Sequence, residues 1–497
     1  MEGLEVERAP SGVPTAEDSS GALAEEELPA HHPGPGEVQP ATSHPGPGEV
    51  QPATSHPAQP PINNRRLLFL ALVAPIAGAV LGAIDGIFRL ALERADHVRN
   101  LLIAWGHQNS VLGFCCVVAG CSAGLTIGVW LVRRFSPYAV GSGIPQVEAA
   151  MNGHLAGAPP NVIPVKFFGG ILVVGAGAGL GREGPSIQMG AVIAHHVGRL
   201  FRRNAEELRL LLAAGAGAGL AVAFNAPLAG AVFVLEELVK RFEVRMAIIA
   251  LAASSTAILI ARLFTGSAPD FHVMISTHAA SAIGPLPYAT AAAWPLYVGV
   301  GVVAGIAASL YTRTYLGLLA LADRMSRAPV ELRAAAVGAV VGIIGWFFPW
   351  LIGGGGAITQ RLLSGDVATS SLPFVFVVRF LLGPVSYATH PPAGLLAPLL
   401  VVGTVIGLAG GELCQAAFPH LGIAAEAFAV VGMAAFFAGV VQAPVTGMVL
   451  VTEMTAAVAT LLPMLAACFA ALLVAQALNT APVYDALLER LMKQLRH

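Results

Sequence analysis

From Arg65 onward the chain is a succession of apolar runs, among them Leu67–Leu81, Val111–Val132 and Tyr297–Leu310, with charged residues gathered mostly at their edges. Helices rise 1.5 Å per residue, so about 20 apolar residues cross a bilayer core, and runs of this length predict membrane-spanning helices. Few of them are clean. Pro75, Gly78, Gly113, Gly120 and Gly124 cut into them, a pattern that predicts close helix packing and discontinuous helices. Before Arg65 the pattern vanishes. Residues 1–64 are rich in Pro, Gly, Glu and Ser and contain HPGPGEVQPATS twice, at His32–Ser43 and His44–Ser55, which predicts a disordered tail. The tail has no basic start followed by an apolar core, so it is no secretory signal, and two polar repeats are too few for a solenoid.

Composition agrees with the pattern. The 497 residues are 56% hydrophobic and 11% charged, whereas about a quarter of a soluble domain is charged. The expected fold class is an all-α polytopic membrane protein, with residues 65–497 as one membrane domain. A net charge of −2, without any Lys/Arg stripe interleaved with aromatics, excludes nucleic acid as a partner. Cys115, Cys116, Cys121, Cys414 and Cys468 lie in apolar segments without metal-ligand spacing. They are read as small packing residues, with no disulfide framework, metal or cofactor. Arg65-Arg66 precede the first apolar run and Arg490, Lys493 and Arg496 follow the last, which places both termini in the cytoplasm by the positive-inside rule. Arg133-Arg134, Arg202-Arg203 and Lys240-Arg241 would mark further cytoplasmic edges, without fixing the number of spans.

An internal similarity divides this domain. NAPLAGAVFVLEEL at Asn225–Leu238 matches QAPVTGMVLVTEMT at Gln442–Thr455, sharing Ala-Pro, a Gly, two Val and a Glu in register. Nearly the same offset brings GREGP at Gly181–Pro185 over GLLAP at Gly394–Pro398. Corresponding interruptions in two halves, approximately 65–265 and 285–485, are what a duplicated transporter would show.

The candidate chemistry sits at three similar turns: Gly141-Ser142-Gly143-Ile144-Pro145, Gly181-Arg182-Glu183-Gly184-Pro185 and Gly394-Leu395-Leu396-Ala397-Pro398. Pro suits the first helical turn and Gly frees the backbone, so each reads as a turn opening a helix. Helix N-termini carry unpaired N–H donors and about half a positive charge, and several converging inside a membrane would bind an anion. Ser142 adds an uncharged donor, although a serine there is also an ordinary helix cap. Glu183 brings a competing negative group. An ionised carboxylate at mid-bilayer costs about 3 kcal/mol, so it must meet donors or take a proton, which would couple anion occupancy to protonation. A local ion pair with Arg182 is the rival reading, and Arg182 has no other assignment.

Other polar residues are more ambiguous. Glu236 aligns with Glu453 and reads as a shared structural feature, whereas Glu237 aligns with Met454 and is the singular acid that could feed protons inward. Lys166 either raises the potential along an anion path or snorkels to the interface. His195 and His196 read as packing or interface residues. Tyr484 could donate to an anion or be an interfacial tyrosine.

In this order GSGIP, PVKFFGG, GREGP, FNAPLAG with its Glu pair, a GxxAP element, QAPVTGMVLVTEMT and a late Tyr484 resemble the CLC chloride channel and transporter family, over roughly Arg65 to the C-terminus. The resemblance implies a homodimer, each subunit with its own anion pathway built from inverted repeats of tilted and broken helices. It implies that Ser142 and Tyr484 hold an anion by side chain, that backbone N–H groups near Gly143, Ile144, Leu395 and Leu396 line the site, and that Glu183 is the outer gating glutamate. Glu237 falls at the inner proton-transfer position, which favours chloride/proton antiport over a passive voltage- or pH-gated chloride channel. The family's third motif commonly reads Gly-Ile-Phe-Ala-Pro, so Leu396 stands in place of a phenylalanine, and tightness of coupling is put in question. The chain ends soon after Tyr484, which implies no paired nucleotide-sensing domains and no adenine nucleotide as partner. The remaining expected partners are chloride, protons and lipid, in a cell (inner) membrane. An intramembrane protease is disfavoured, because Tyr484-Asp485 follows Gly365-Asp366 in the wrong order, Leu363 stands where a glycine is needed, and no HExxH occurs.

Overall fold

A computed structural model describes residues 64–273, 293–325 and 328–495. The tandem-repeat tail and Arg496 lie outside these residues. Among them the chain forms helices and no strand. The first eight are α1 Asn64–Gln108, α2 Ser110–Phe135, α3 Ile144–Met151, α4 Val162–Gly175, α5 Glu183–Leu200, α6 Ala205–Phe224, α7 Pro227–Phe233 and α8 Val244–Thr265. After residues 274–292 follow α9 Trp294–Arg324, α10 Val330–Phe347, α11 Gly356–Leu363, α12 Leu372–Tyr387, α13 Leu396–Ala417, α14 Ala425–Val441, α15 Pro444–Thr455, α16 Leu461–Ala477 and α17 Val483–Leu495.

Nine helical segments among the described residues are long and apolar enough to cross a membrane, while α3, α7, α11 and α15 are too short to do so alone. The protein is a multi-pass membrane protein. Its outward surface agrees: Leu68, Leu72 and Ile76 of α1 and Leu259 and Leu263 of α8 are large, apolar and exposed. Such faces suit lipid and not water.

Glycine controls how closely the helices meet. A Cβ on Gly78 would lie 2.3 Å from the Ala253 carbonyl oxygen and one on Gly82 would lie 2.2 Å from that of Ala257, so α1 and α8 touch backbone to backbone. Gly113 likewise leaves room for Gly106, whose carbonyl oxygen a Cβ would approach to 2.0 Å. The glycines of the apolar runs thus serve close packing, as small residues do between membrane helices. Breaks do not follow from them. α1 continues through Pro75, because neighbouring helices hold a proline-containing membrane helix together. The real discontinuities lie before α3, α5 and α13 and after α7, and they position the polar residues.

Candidate functional site

The three predicted turns meet. Gly181 and Gly394 form an antiparallel bridge, Gly181 N–H donating to the Gly394 carbonyl at 2.9 Å and Gly394 N–H to that of Gly181 at 2.8 Å. Gly184 closes the contact with the remaining turn. A Cβ there would lie 2.8 Å from the Gly394 Cα and 2.8 Å from the Ser142 carbonyl oxygen, so only a glycine allows all three backbones to converge. Helix starts follow as expected: Gly143, at φ +85°, caps α3, Glu183 opens α5 and Leu396 opens α13.

Glu183 sits inside this convergence with no exposed surface. Its Oε1 accepts a 2.6 Å hydrogen bond from the Leu396 N–H, while Oε2 finds no hydrogen-bond partner among the described residues. The fit is tight, since Cβ atoms on Gly181 or Gly394 would fall 1.9 and 2.4 Å from the two carboxylate oxygens. A carboxylate therefore occupies the N-terminal donor of α13, the place an anion would take.

Arg182 does not pair with Glu183. Its Nε donates to the Ala223 carbonyl at 2.9 Å and its Nη2 lies 3.2 Å from Asp270 Oδ2, an acid that also meets Arg89 at 2.9 Å. Adjacent residues at a helix start point apart, and this removes the local ion pair weighed from the sequence. Glu183 is left without a cationic partner in contact.

Ser142 is buried, and its Oγ accepts from the Ile144 N–H at a long 3.4 Å. Lys166 is fully buried and does not snorkel. Its Nζ donates to the Gly141 carbonyl at 2.6 Å, fastening the turn that carries Ser142. Tyr484 is equally buried, so it is no interfacial tyrosine; its hydroxyl has no hydrogen-bond partner among the described residues. Leu395 and Leu396 are buried at the start of α13. His195 and His196 stack edge to face in α5, away from these groups.

The Glu236-Glu237 pair lies in a single π turn, Val234–Leu238, that ends α7. Such turns are rare and often mark functional sites. Glu236 reaches across to α15, where its oxygens accept from the Val445 N–H at 3.1 Å and the Thr446 N–H at 2.6 Å. Glu453 at the end of α15 returns the arrangement, accepting from the Leu228 N–H at 3.1 Å and the Ala229 N–H at 2.8 Å. Each acid of the aligned pair caps the other's Ala-Pro helix. Glu237 points elsewhere, is 4% exposed, and leaves Oε1 without a hydrogen bond among the described residues.

Several polar residues of this region escape a reading of the sequence. Asp85, mid-run in α1, is buried and accepts a 2.5 Å bond from Ser186 Oγ of α5. A lone intramembrane acid was a legible signal. Lys240 contacts the buried Glu148 at 3.2 Å and also Asp485, the residue after Tyr484. Although partial burial works to lower it, these carboxylates hold the Lys240 ammonium above the usual lysine range. Tyr387 donates no sequence signal beyond lying seven residues before Gly394, yet its hydroxyl accepts the Ser142 N–H at 2.9 Å.

The family profile described as voltage gated chloride channel matches residues 123–476. The H(+)/Cl(-) exchange transporter ClcA of Citrobacter koseri is 36% identical over 429 residues, 84% of this chain and 88% of its own. That of Cronobacter sakazakii is 37% identical over 368 residues, 73% and 77% of the two chains. Among solved structures, a slow cyanobacterial Cl-/H+ antiporter superposes with a TM-score of 0.79 at 30% identity, covering 88% of this chain and 100% of its own. A eukaryotic CLC transporter, at a TM-score of 0.69 and 23% identity over 86% of this chain and 75% of its own, shares the fold.

Proposed function

This chain belongs to the voltage-gated chloride channel (CLC) family, and on that footing we propose that it exchanges chloride for protons across the membrane, with Glu183 as the mobile, protonatable gate. One observation carries the reading. A buried carboxylate without a cation in contact sits on the Leu396 N–H, so it can yield that donor to an anion only by leaving, and leaving into an apolar interior favours the protonated form. Each departure thus takes up a proton, and each return releases one.

Ser142 and Tyr484 hold the anion by their hydroxyls, with backbone donors around Gly143, Ile144, Leu395 and Leu396 completing the lining. A hydroxyl binds without the strength of a full charge, which lets the anion go again. Lys166 keeps the Ser142 turn in place through Gly141. Glu237 receives protons from the inner side. Its burial and its unpaired oxygen suit a group that changes protonation rather than one that caps a helix. The exchange named for the relatives favours antiport over a passive channel for this chain; the leucine at position 396 keeps its backbone donor, and the ratio of chloride to proton flux tells whether coupling stays tight without a phenylalanine ring there.

We further read the membrane domain as two inverted halves, approximately 65–265 and 285–485, a division supported by the exchanged caps of Glu236 and Glu453. We also propose a homodimer in lipid in the cell (inner) membrane, as the family resemblance implies, with cytoplasmic termini, a reading supported by the basic residues that flank the first and last apolar runs. Liposomes with an imposed chloride gradient test the function: chloride efflux drives protons inward against their gradient in the exchanger, and no uphill proton movement leaves only the channel.

A further inference from the structure

Tyr387 ends α12 and stands outside every motif that assigns the anion site, yet its hydroxyl is the acceptor for the Ser142 N–H at 2.9 Å. The contact is built into the turn. Gly141 takes φ +68°, and a Cβ on it would fall 2.5 Å from the Tyr387 oxygen, so the first glycine of GSGIP provides both a left-handed backbone and the space for the phenol. The ring is fixed from behind by Tyr315, with centroids 4.9 Å apart.

The segment that starts at Tyr387 touches both halves of the site. Its Pro391 carbonyl accepts the Gly141 N–H at 2.9 Å. Further along, Gly394 bridges Gly181, and the Leu396 N–H holds Glu183. Ten residues therefore tie the Ser142 turn to the glutamate's docking point, and Tyr387 is the end that grips Ser142.

We propose that Tyr387 is a positioning residue that sets anion selectivity: by clamping the Ser142 N–H it fixes the direction of the Ser142 hydroxyl toward the permeating anion. The inference rests on the reading of Ser142 as an anion ligand. A serine free to turn would discriminate less between a small spherical anion and a planar one, because its hydroxyl could follow either.

Tyr387→Phe removes one oxygen and keeps the ring that packs on Tyr315, so the test isolates the hydroxyl. Purified protein is titrated with chloride and with nitrate by calorimetry, and the nitrate/chloride flux ratio is measured in liposomes, alongside Ser142→Pro. The expected result is chloride binding weaker by about fivefold, the loss of one hydrogen bond's worth, with a raised nitrate/chloride ratio and an unchanged elution volume on size exclusion. An unaltered chloride affinity and ratio in Tyr387→Phe, while Ser142→Pro shifts the ratio, overturns the role of Tyr387 alone. No shift in either variant overturns Ser142 as a ligand and this proposal with it. If Tyr387→Phe aggregates, Gly141→Ala, which crowds the phenol off Ser142, is measured in its place with the same expectation.

Discussion

The two Ala-Pro helices, α7 and α15, begin alike and end differently. Glu236 at the end of one and Glu453 at the end of the other each satisfy two backbone donors of the opposite helix. One residue on, the halves diverge: Glu237 is buried with an unpaired oxygen, and the corresponding Met454 is an apolar core residue. A carboxylate whose oxygens are engaged by backbone donors is held in place by them, whereas one that is buried and partly unpaired is the kind of group the proposed exchange requires to change protonation. By that criterion Glu183, with one oxygen on Leu396 and the other unpaired, stands with Glu237.

The comparison can be broken first at the unpaired acids, where the effects are largest. Glu183→Gln abolishes proton coupling and leaves some anion transport, because the side chain no longer cycles between charge states; proton uptake during chloride flux in liposomes reads this directly. Glu237→Gln loses proton transport in the same assay, and full retention would remove it from the path. At the capping acids the expectation reverses. Glu236→Ala and Glu453→Ala leave coupling intact and lower stability by about 1 kcal/mol each, the usual cost of losing a helix cap. A thermal-shift series in detergent shows it, and loss of coupling without destabilisation would erase the distinction. Smallest is Ser142→Pro, which shifts preference toward nitrate over chloride in a flux competition; an unchanged ratio would mean that Ser142 does not line the site.

Much of this contrast was legible in the sequence. The register of Glu236 on Glu453, with Glu237 left over, separated structural from singular acids before any geometry. The three Gly-x-x-x-Pro turns marked the convergence, because glycine and proline constrain the backbone locally. What escaped depends on contacts between distant segments. Nothing local announces that Arg182 turns to Asp270 and Ala223, that Lys166 is buried on Gly141, or that Tyr387 reaches Ser142 across 245 positions. Pro75 misled for the related reason that packing, not local propensity, decides whether a membrane helix breaks.

The central claim is that buried, partly unpaired carboxylates carry protons while fully engaged ones do not. Its most direct test is the reversal potential of liposome-reconstituted protein under imposed chloride and pH gradients, for the native chain and for Glu237→Gln. The native reversal potential is predicted to lie off the chloride equilibrium potential, displaced by the pH gradient, and the variant's to fall on it. A native protein that already reverses at the chloride potential, or a variant that keeps the native displacement, contradicts the account.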